Sequence, residues 1–267
     1  MIARLLICVA LAAGGTSAAE LLVASASDMA PLAPALEAAF RQATGHQVRF
    51  TFASSGSLAR QIENGAPFDV FLAAGESYAR DLVAAGQAQD SSITVYALGR
   101  IGLWSRSGTI LQLNALKAVQ VKHVAIANPQ HAPYGAAAQQ ALEGQGLWKQ
   151  LESKLVFGEN VRQALQFAES GNADAVITSW TLLKGRGVLL PAEFHAPIRQ
   201  TGVVLKSSSQ QEAARAFLAY LVSPSGQSIL TAGGLFSLET VAKPVPLKPA
   251  PVRKRPSSTR RSSRRSP

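Results

Sequence analysis

Small hydroxyl side chains cluster at two turns near the start of the chain. The first turn is Ser25-Ala26-Ser27-Asp28, and the second is Ala53-Ser54-Ser55-Gly56-Ser57. Each turn follows an apolar, strand-like run and precedes a helix-like stretch. A helix N-terminus exposes unpaired N–H groups and a partial positive potential. Hydroxyl groups placed there can bind an anion without any formal positive charge.

N-capping is the alternative role for these serines. A serine at an N-cap stabilises its helix by about 1 kcal/mol and needs no ligand. Capping is sufficient to explain each serine taken singly, whereas two such turns in adjacent units strengthen the case for a binding site. A site built only from donors would select a fully ionised oxyanion, because an O–H group on the ligand would face another donor.

Catalytic motifs are missing from the sequence, which contains no Gly-x-Ser-x-Gly elbow, phosphate-binding glycine loop or His-Glu-x-x-His. No two of its four histidines stand at a spacing typical of metal ligands. His131, in NPQHAPYG, lies at a predicted strand-to-helix turn and is considered for a role beside a site. A secreted serine hydrolase, the alternative from another class, would need a base near Ser27 or Ser55. We therefore predict a binding protein that is not an enzyme, with no cofactor and no residue that binds a metal directly.

The first nineteen residues are typical of a secretory signal. Arg4 precedes the apolar run 5–13, and small residues lead to a predicted cleavage site near Ala19. Cys8, the single cysteine, lies inside this segment, so the mature chain would have no disulfide or zinc–thiolate site. The predicted location is the periplasm.

The net charge of +10 comes largely from the C-terminal end. Residues 253–267 contain seven basic and no acidic residues, and residues 20–252 carry a net charge of only +2. A nearly neutral folded part argues against nucleic-acid binding. The Pro-, Ser- and Arg-rich residues 243–267 are predicted to be a disordered basic tail.

Strand-like and helix-like segments alternate between residues 20 and 235. This βαβα order predicts an α/β fold with mostly parallel sheets flanked by helices. A second alternating unit begins near residue 110, and the chain then returns towards the first, which predicts two lobes joined by a two-stranded hinge. The predicted divisions are a signal peptide (1–19), the first part of lobe I (20–105), lobe II (106–195), the return segment of lobe I (196–242) and the tail (243–267).

Four segments together identify a family. They are ASAS (24–27), FASSGSLARQIENGAPFDVFLAAG (52–75), NPQHAPYGAAAQQAL (128–142) and ENVRQAL (159–165). In their order and spacing the chain resembles the periplasmic molybdate-binding proteins of ABC transporters, from about residue 20 to 235. The resemblance implies a type II periplasmic-binding-protein fold whose ligand is molybdate or tungstate.

The resemblance also implies which residues bind the oxyanion. Ser27 and Ser55 match hydroxyl donors of the first lobe, and Tyr134 and Val161 match positions that supply backbone N–H groups. Ser179 occupies a position where some members have a tyrosine, so the chain departs from the family pattern there. This departure motivates a second hypothesis, in which the same fold binds a different oxyanion or a small organic acid.

The implied partner is the membrane permease of an ABC importer. We expect the protein to act as a monomer, to receive the oxyanion in the cleft between its lobes, and to bind no nucleic acid. Closure of the two lobes by a hinge motion would exclude water from the ligand.

Overall fold

A computed structural model describes residues 18–238 of the chain. The predicted tail, 243–267, and residues 1–17 of the predicted signal lie outside the described residues. No helix within the described range is both long enough and apolar enough to cross a membrane.

Strands and helices alternate through residues 18–238, which form ten strands and nine α-helices. The strands are β1 (Glu20–Ala26), β2 (Gln47–Ala53), β3 (Val70–Ala73), β4 (Thr94–Gly99), β5 (Ile101–Ser105), β6 (Val124–Ala127), β7 (Leu155–Gly158), β8 (Ala175–Ser179), β9 (Val188–Leu189) and β10 (Ile198–Val204). The α-helices are α1 (Ala33–Thr44), α2 (Ser55–Glu63), α3 (Glu76–Ala84), α4 (Pro133–Gly144), α5 (Trp148–Leu151), α6 (Val161–Ser170), α7 (Trp180–Leu183), α8 (Gln211–Val222) and α9 (Pro224–Ala232).

The strands form two five-stranded sheets with the same topology. The first has the order β2-β1-β3-β10-β4, and the second has the order β7-β6-β8-β5-β9. In each sheet the first three strands are parallel, and the fourth is antiparallel to both neighbours. The antiparallel strand is in both cases the one that arrives from the other sheet. The two-lobed α/β fold predicted from the sequence is therefore confirmed, with mixed sheets.

The chain changes sheets at Arg100, between β4 and β5, and returns between β9 and β10. The first division predicted from the sequence, after residue 105, differs from this observed crossing. Residues 94–105 have the pattern of one long extended stretch, and Gly99 and Arg100 within it do not show by themselves which part pairs with which sheet. Residues 101–105 pair with β8 and β9 and thus belong to the second sheet.

Apolar side chains cover both faces of the first sheet. Val23 of β1 packs in the cluster that includes Phe40 and Phe217, whereas the next residue, Ala24, packs with Leu58 on the opposite face. This follows from the alternation of side chains along a strand. The core of the second lobe continues across the boundary to include Ala26 and Ala74 of the first lobe. The two lobes therefore contact each other directly.

Candidate functional site

A small cavity lies where the two lobes meet at the ends of their strands. The centre of a water-sized sphere can occupy about 10 Å³ of it. Both lobes contribute to its wall, and neither lysine, arginine nor histidine lines it. The lining residues are Ala26, Ser27, Asp28, Ala53, Ser54, Ser55, Ala74, Ala132, Pro133, Tyr134, Asn160 and Val161.

Helix α2 directs its first turn at this cavity. Its N-cap, Ser54, accepts a hydrogen bond from the Ser57 N–H at 3.3 Å, and the Gly56 N–H donates to the His131 carbonyl at 2.9 Å. The N–H of Ser55, as the first residue of the helix, has no intrahelical acceptor. The Ser55 hydroxyl oxygen accepts from the Ala74 N–H at 3.0 Å. Its own hydrogen therefore remains available for a ligand.

Helix α6 leaves one backbone N–H at its start in the same way. Its N-cap, Asn160, accepts hydrogen bonds from the N–H groups of Arg162 at 3.0 Å and Gln163 at 3.2 Å. This capping satisfies the second and third N–H groups of the helix. The first, that of Val161, has no intrahelical acceptor, and Val161 lines the cavity.

Helix α4 supplies a third backbone donor. Its first residue is Pro133, which has no N–H. The N–H groups of Gly135 and Ala136 both donate to the Ala132 carbonyl, at 2.9 and 3.0 Å. Only the N–H of Tyr134 is left without an intrahelical acceptor in this first turn.

Three helix N-termini thus each bring one backbone N–H to the wall of a single cavity. The Ser55 hydroxyl adds a fourth donor. Ser27 is 2% exposed and at present donates its hydroxyl to the Ala53 carbonyl at 3.0 Å, so it would have to rotate to reach a ligand. The arrangement can bind a small anion by dipoles and hydrogen bonds alone.

Four of the five residues predicted to bind the ligand line this cavity: Ser27, Ser55, Tyr134 and Val161. Ser179 does not line it. Its hydroxyl lies 2.7 Å from the hydroxyl of Thr181, which in turn donates to the Asp28 carbonyl at 2.7 Å. The Ser179 hydroxyl is thus engaged with Thr181, and its direct contact with the ligand stays a prediction.

Asp28 is a residue of the site to which the sequence patterns assigned no role. It is fully buried, and its Oδ2 accepts hydrogen bonds from Tyr134 Oη and Gln200 Nε2, each at 2.9 Å. Burial raises the pKa of Asp28 to about 7, although the hydrogen bonds from Tyr134 and Gln200 act in the opposite direction. The pKa of Tyr134 is raised well above its usual value by burial and by the nearby Asp28 charge. The sequence feature that could have drawn attention to Asp28 is its acidic side chain in a turn whose other side chains are small and neutral.

His131 joins the lobes next to the cavity without lining it. Its Nδ1 lies 2.9 Å from Ser54 Oγ, and its Nε2 lies 3.6 Å from Glu159 Oε2. This grouping has the residue types of a hydrolytic triad, but Ser54 Oγ also contacts the Ser57 hydroxyl at 2.8 Å and the Ser57 N–H. The Ser54 hydroxyl is thus fully engaged by its neighbours. The geometry suits a contact between lobes rather than a nucleophile.

Metal-ligating side chains do not cluster in this structure. Among residues 18–238 no group of three or more histidine, cysteine, aspartate and glutamate residues is placed to hold a metal ion.

Known proteins resemble the chain over nearly all of its described length. The family model described as "Bacterial extracellular solute-binding protein" matches residues 21–236. The molybdate-binding protein ModA of Rhodobacter capsulatus is 35% identical over 223 residues, covering 82% of this chain and 88% of that protein. The ModA protein of Azotobacter vinelandii is 37% identical over 244 residues, covering 85% of this chain and 95% of that protein.

A solved structure agrees with these sequence matches. The periplasmic molybdate-binding protein of Azotobacter vinelandii superimposes with a TM-score of 0.77 at 32% sequence identity. The match covers 80% of this chain and 98% of the solved chain.

Proposed function

The chain belongs to the family of bacterial extracellular solute-binding proteins, and on that premise we propose that it captures molybdate or tungstate for an ABC-type import permease. Capture takes place outside the cytoplasm, in the periplasm, as the signal-like segment predicts. The protein works as a monomer, performs no catalysis and needs no cofactor. The metal reaches it only as an oxyanion, bound through oxygen.

One observation carries the proposal: Ser55, Tyr134 and Val161, whose N–H groups have no intrahelical acceptor, line one cavity. The next N–H groups in each helix already donate hydrogen bonds within the protein. The N–H groups of Ser55, Tyr134 and Val161 are therefore the ones left for a ligand. Neutral donors alone suit a small dianion that must be captured tightly and then released. The names of the two ModA relatives support molybdate as that dianion.

The fixed positions of the donors support discrimination among tetrahedral anions. Molybdate and tungstate have similar size and charge, so the same donors would hold both. Sulfate is smaller, and donors fixed at three helix N-termini cannot all approach it equally closely. Phosphate carries a proton at neutral pH, and its O–H would face another donor.

A thermal-shift titration of residues 20–238 with molybdate, tungstate, sulfate and phosphate tests the proposal. A ligand that binds only the folded state stabilises it by about 4 kcal/mol at a thousandfold excess over Kd. Large shifts with molybdate and tungstate and small shifts with sulfate are expected, with sodium chloride at matched ionic strength as the control. Absence of a shift with both molybdate and tungstate would contradict the proposal.

A different oxyanion or a small organic acid is the second candidate. The Asp28 carboxyl at the cavity favours it, because an ionised carboxylate could accept a hydrogen bond from a ligand O–H group. Under this alternative phosphate or an organic acid would give the largest thermal shift. Mass spectrometry of ligand released from the purified protein separates the two, since recovery of molybdenum alone argues against the alternative.

A further inference from the structure

Asp28 is the one carboxyl group in the wall of the cavity, and no cationic side chain accompanies it there. Its two oxygens differ in their surroundings. Oδ2 accepts hydrogen bonds from Tyr134 and Gln200, whereas Oδ1 is buried and has no hydrogen-bond partner among the described residues. An ionised carboxylate would leave the unpartnered oxygen charged and unsolvated, which is unfavourable in a buried site.

A bound dianion makes ionisation of Asp28 still less favourable. The carboxylate would add a negative charge beside the two charges of the ligand, in a site that excludes water. Like charges at this range repel strongly when the medium between them has a low dielectric constant. The three helix N-termini supply partial positive charge, but no side chain in the cavity wall supplies a full one.

We propose that Asp28 makes oxyanion capture proton-dependent, an inference that rests on the proposed function. The site holds the dianion while Asp28 is neutral, with its proton on Oδ1, and holds it weakly once Asp28 is ionised. Capture above neutral pH therefore takes up one proton from solution.

The position of the proton follows from the hydrogen bonds. Both donors approach Oδ2, so a proton on Oδ1 leaves the bonds from Tyr134 and Gln200 intact. The bond from Tyr134 joins the lobes, because Tyr134 lies on α4 and Asp28 lies in the 3-10 turn after β1. Thr181 of the second lobe also donates to the Asp28 carbonyl, at 2.7 Å. The neutral form of Asp28 is thus compatible with closed lobes and a filled site.

Among the groups that face it, Asp28 is the one expected to change its charge near neutral pH. Tyr134 faces it from α4, Tyr96 from β4 and Gln200 from β10, and the pKa of each tyrosine is raised well above its usual value. The short helix α7 that packs on this turn has no charged residue. The charged side chains of β2, α6 and β10 are exposed: Arg49, Arg162, Glu169 and Arg199. The pKa of about 7 for Asp28 places its ionisation within reach of physiological pH.

Isothermal titration calorimetry of molybdate binding from pH 6 to pH 9 tests the inference. Molybdate remains a dianion across this range, so any pH dependence belongs to the protein. Linkage predicts that wild-type affinity falls about a hundredfold from pH 6 to pH 9. Repeating the titration at pH 8 in buffers with different ionisation enthalpies should show uptake of nearly one proton, a result that requires no variant.

Two variants test whether the proton taken up on oxyanion binding is the one on Asp28. Asp28→Asn keeps an acceptor for Tyr134 and Gln200 but cannot ionise, so its affinity should change less than about threefold over the same pH range. His131→Gln removes the histidine nearest the cavity, and this variant should retain the wild-type slope.

Each outcome has a distinct meaning. Wild-type affinity that is independent of pH, with no proton uptake at pH 8, would overturn the proton coupling while leaving the proposed function intact. A wild-type slope in Asp28→Asn, or its loss in His131→Gln alone, would remove Asp28 as its cause. Absence of molybdate binding at pH 6 would instead overturn the proposed function.

Discussion

The backbone N–H of Gly56 donates to the carbonyl of His131 at 2.9 Å, which joins α2 of the first lobe to the loop before α4 of the second. A Cβ atom on Gly56 would lie 2.8 Å from the Cβ of His131 and 3.0 Å from its carbonyl oxygen. Contact between the lobes at this point therefore requires a residue without a side chain. The spacing of the two backbones here also sets the distance between donors on opposite sides of the cavity.

Gly56→Ala should weaken oxyanion binding without unfolding either lobe. Overpacking of this kind costs about 1–3 kcal/mol, which predicts a loss of affinity of about 5- to 150-fold. The lobes themselves should be as stable as before, because alanine is favoured over glycine within a helix by about 1 kcal/mol. Calorimetry gives the affinity, and small-angle X-ray scattering shows whether the liganded form is more open.

Gly144→Ala is the matched control, since Gly144 also lies in a helix but a Cβ there meets no atom within 4 Å. Its affinity should equal that of the wild type. Equal affinities for the Gly56 and Gly144 variants would show that the ligand-bound form does not need this close approach.

Ser55→Ala should reduce affinity for molybdate by removing a hydroxyl donor to a charged ligand. Such hydrogen bonds contribute about 1.5–3 kcal/mol, so Kd should rise about 10- to 150-fold. The variant also leaves the buried Ala74 N–H without its acceptor, which should cost about 1–3 kcal/mol of folding free energy. Calorimetry well below the melting temperature separates the two effects.

Ser57→Ala serves as the control for this serine turn. Ser57 belongs to the same helix but does not line the cavity, so its removal should leave Kd within about twofold of wild type. Equal losses at both positions would place the source of the effect in the helix N-terminus as a whole rather than in the Ser55 hydroxyl.

Much of this site could be predicted because capping and anion binding depend on the same local signals. Serine, asparagine and proline at the starts of α2, α6 and α4 mark helix N-termini in the sequence, and parallel strands bring such termini to one edge of a sheet. The resemblance to molybdate-binding proteins then identified Ser27, Ser55, Tyr134 and Val161, which line one cavity.

The features that escaped prediction depend on contacts between distant segments. Ser179 ends strand β8, but its hydroxyl contacts that of Thr181. The importance of Asp28 arises from Tyr134 and Gln200, which are 106 and 172 residues away in sequence. The crossing at Arg100 lies inside a stretch whose pattern is that of one long extended segment. Local patterns specify the elements and their ends, whereas pairing and burial are set by the tertiary structure.

Asp28 should make the unliganded protein less stable as pH rises from about 4 to about 7. The pKa of this carboxyl is raised by burial from 3.8 to about 7, so the folded state retains a proton that the unfolded state has lost. The contribution of Asp28 to the free energy of unfolding is therefore largest below about pH 4. It falls as the pH rises from about 4 to about 7 and is constant at higher pH. Because a tenfold change in a proton-binding constant corresponds to about 1.4 kcal/mol, the expected loss is a few kcal/mol.

Urea unfolding at pH 5 and pH 8, without oxyanion, measures this effect for wild type and Asp28→Asn. The asparagine variant cannot ionise, so its advantage over wild type should be a few kcal/mol larger at pH 8 than at pH 5. A difference between the two proteins that is the same at both pH values would show that Asp28 does not retain its proton on folding.

Val161→Pro should remove one backbone donor while leaving helix α6 intact. Proline is favoured at the first position of a helix, where its missing N–H has no intrahelical role. The preceding residue, Asn160, already has the extended conformation that proline requires, with φ −154° and ψ 176°. The change therefore isolates the N–H that we assign to the ligand. Loss of a donor to a charged ligand predicts a Kd about 10- to 150-fold higher, corresponding to 1.5–3 kcal/mol.

Val161→Ala is the control, because it removes most of the same buried side chain, which is 4% exposed, but keeps the N–H. Both variants should unfold at lower temperature than wild type, since each leaves space in the core of the second lobe. Only the proline variant should bind molybdate much more weakly in calorimetry. If the two variants lose affinity equally, packing at Val161 rather than its N–H matters for binding, and the anion then lies away from the start of α6.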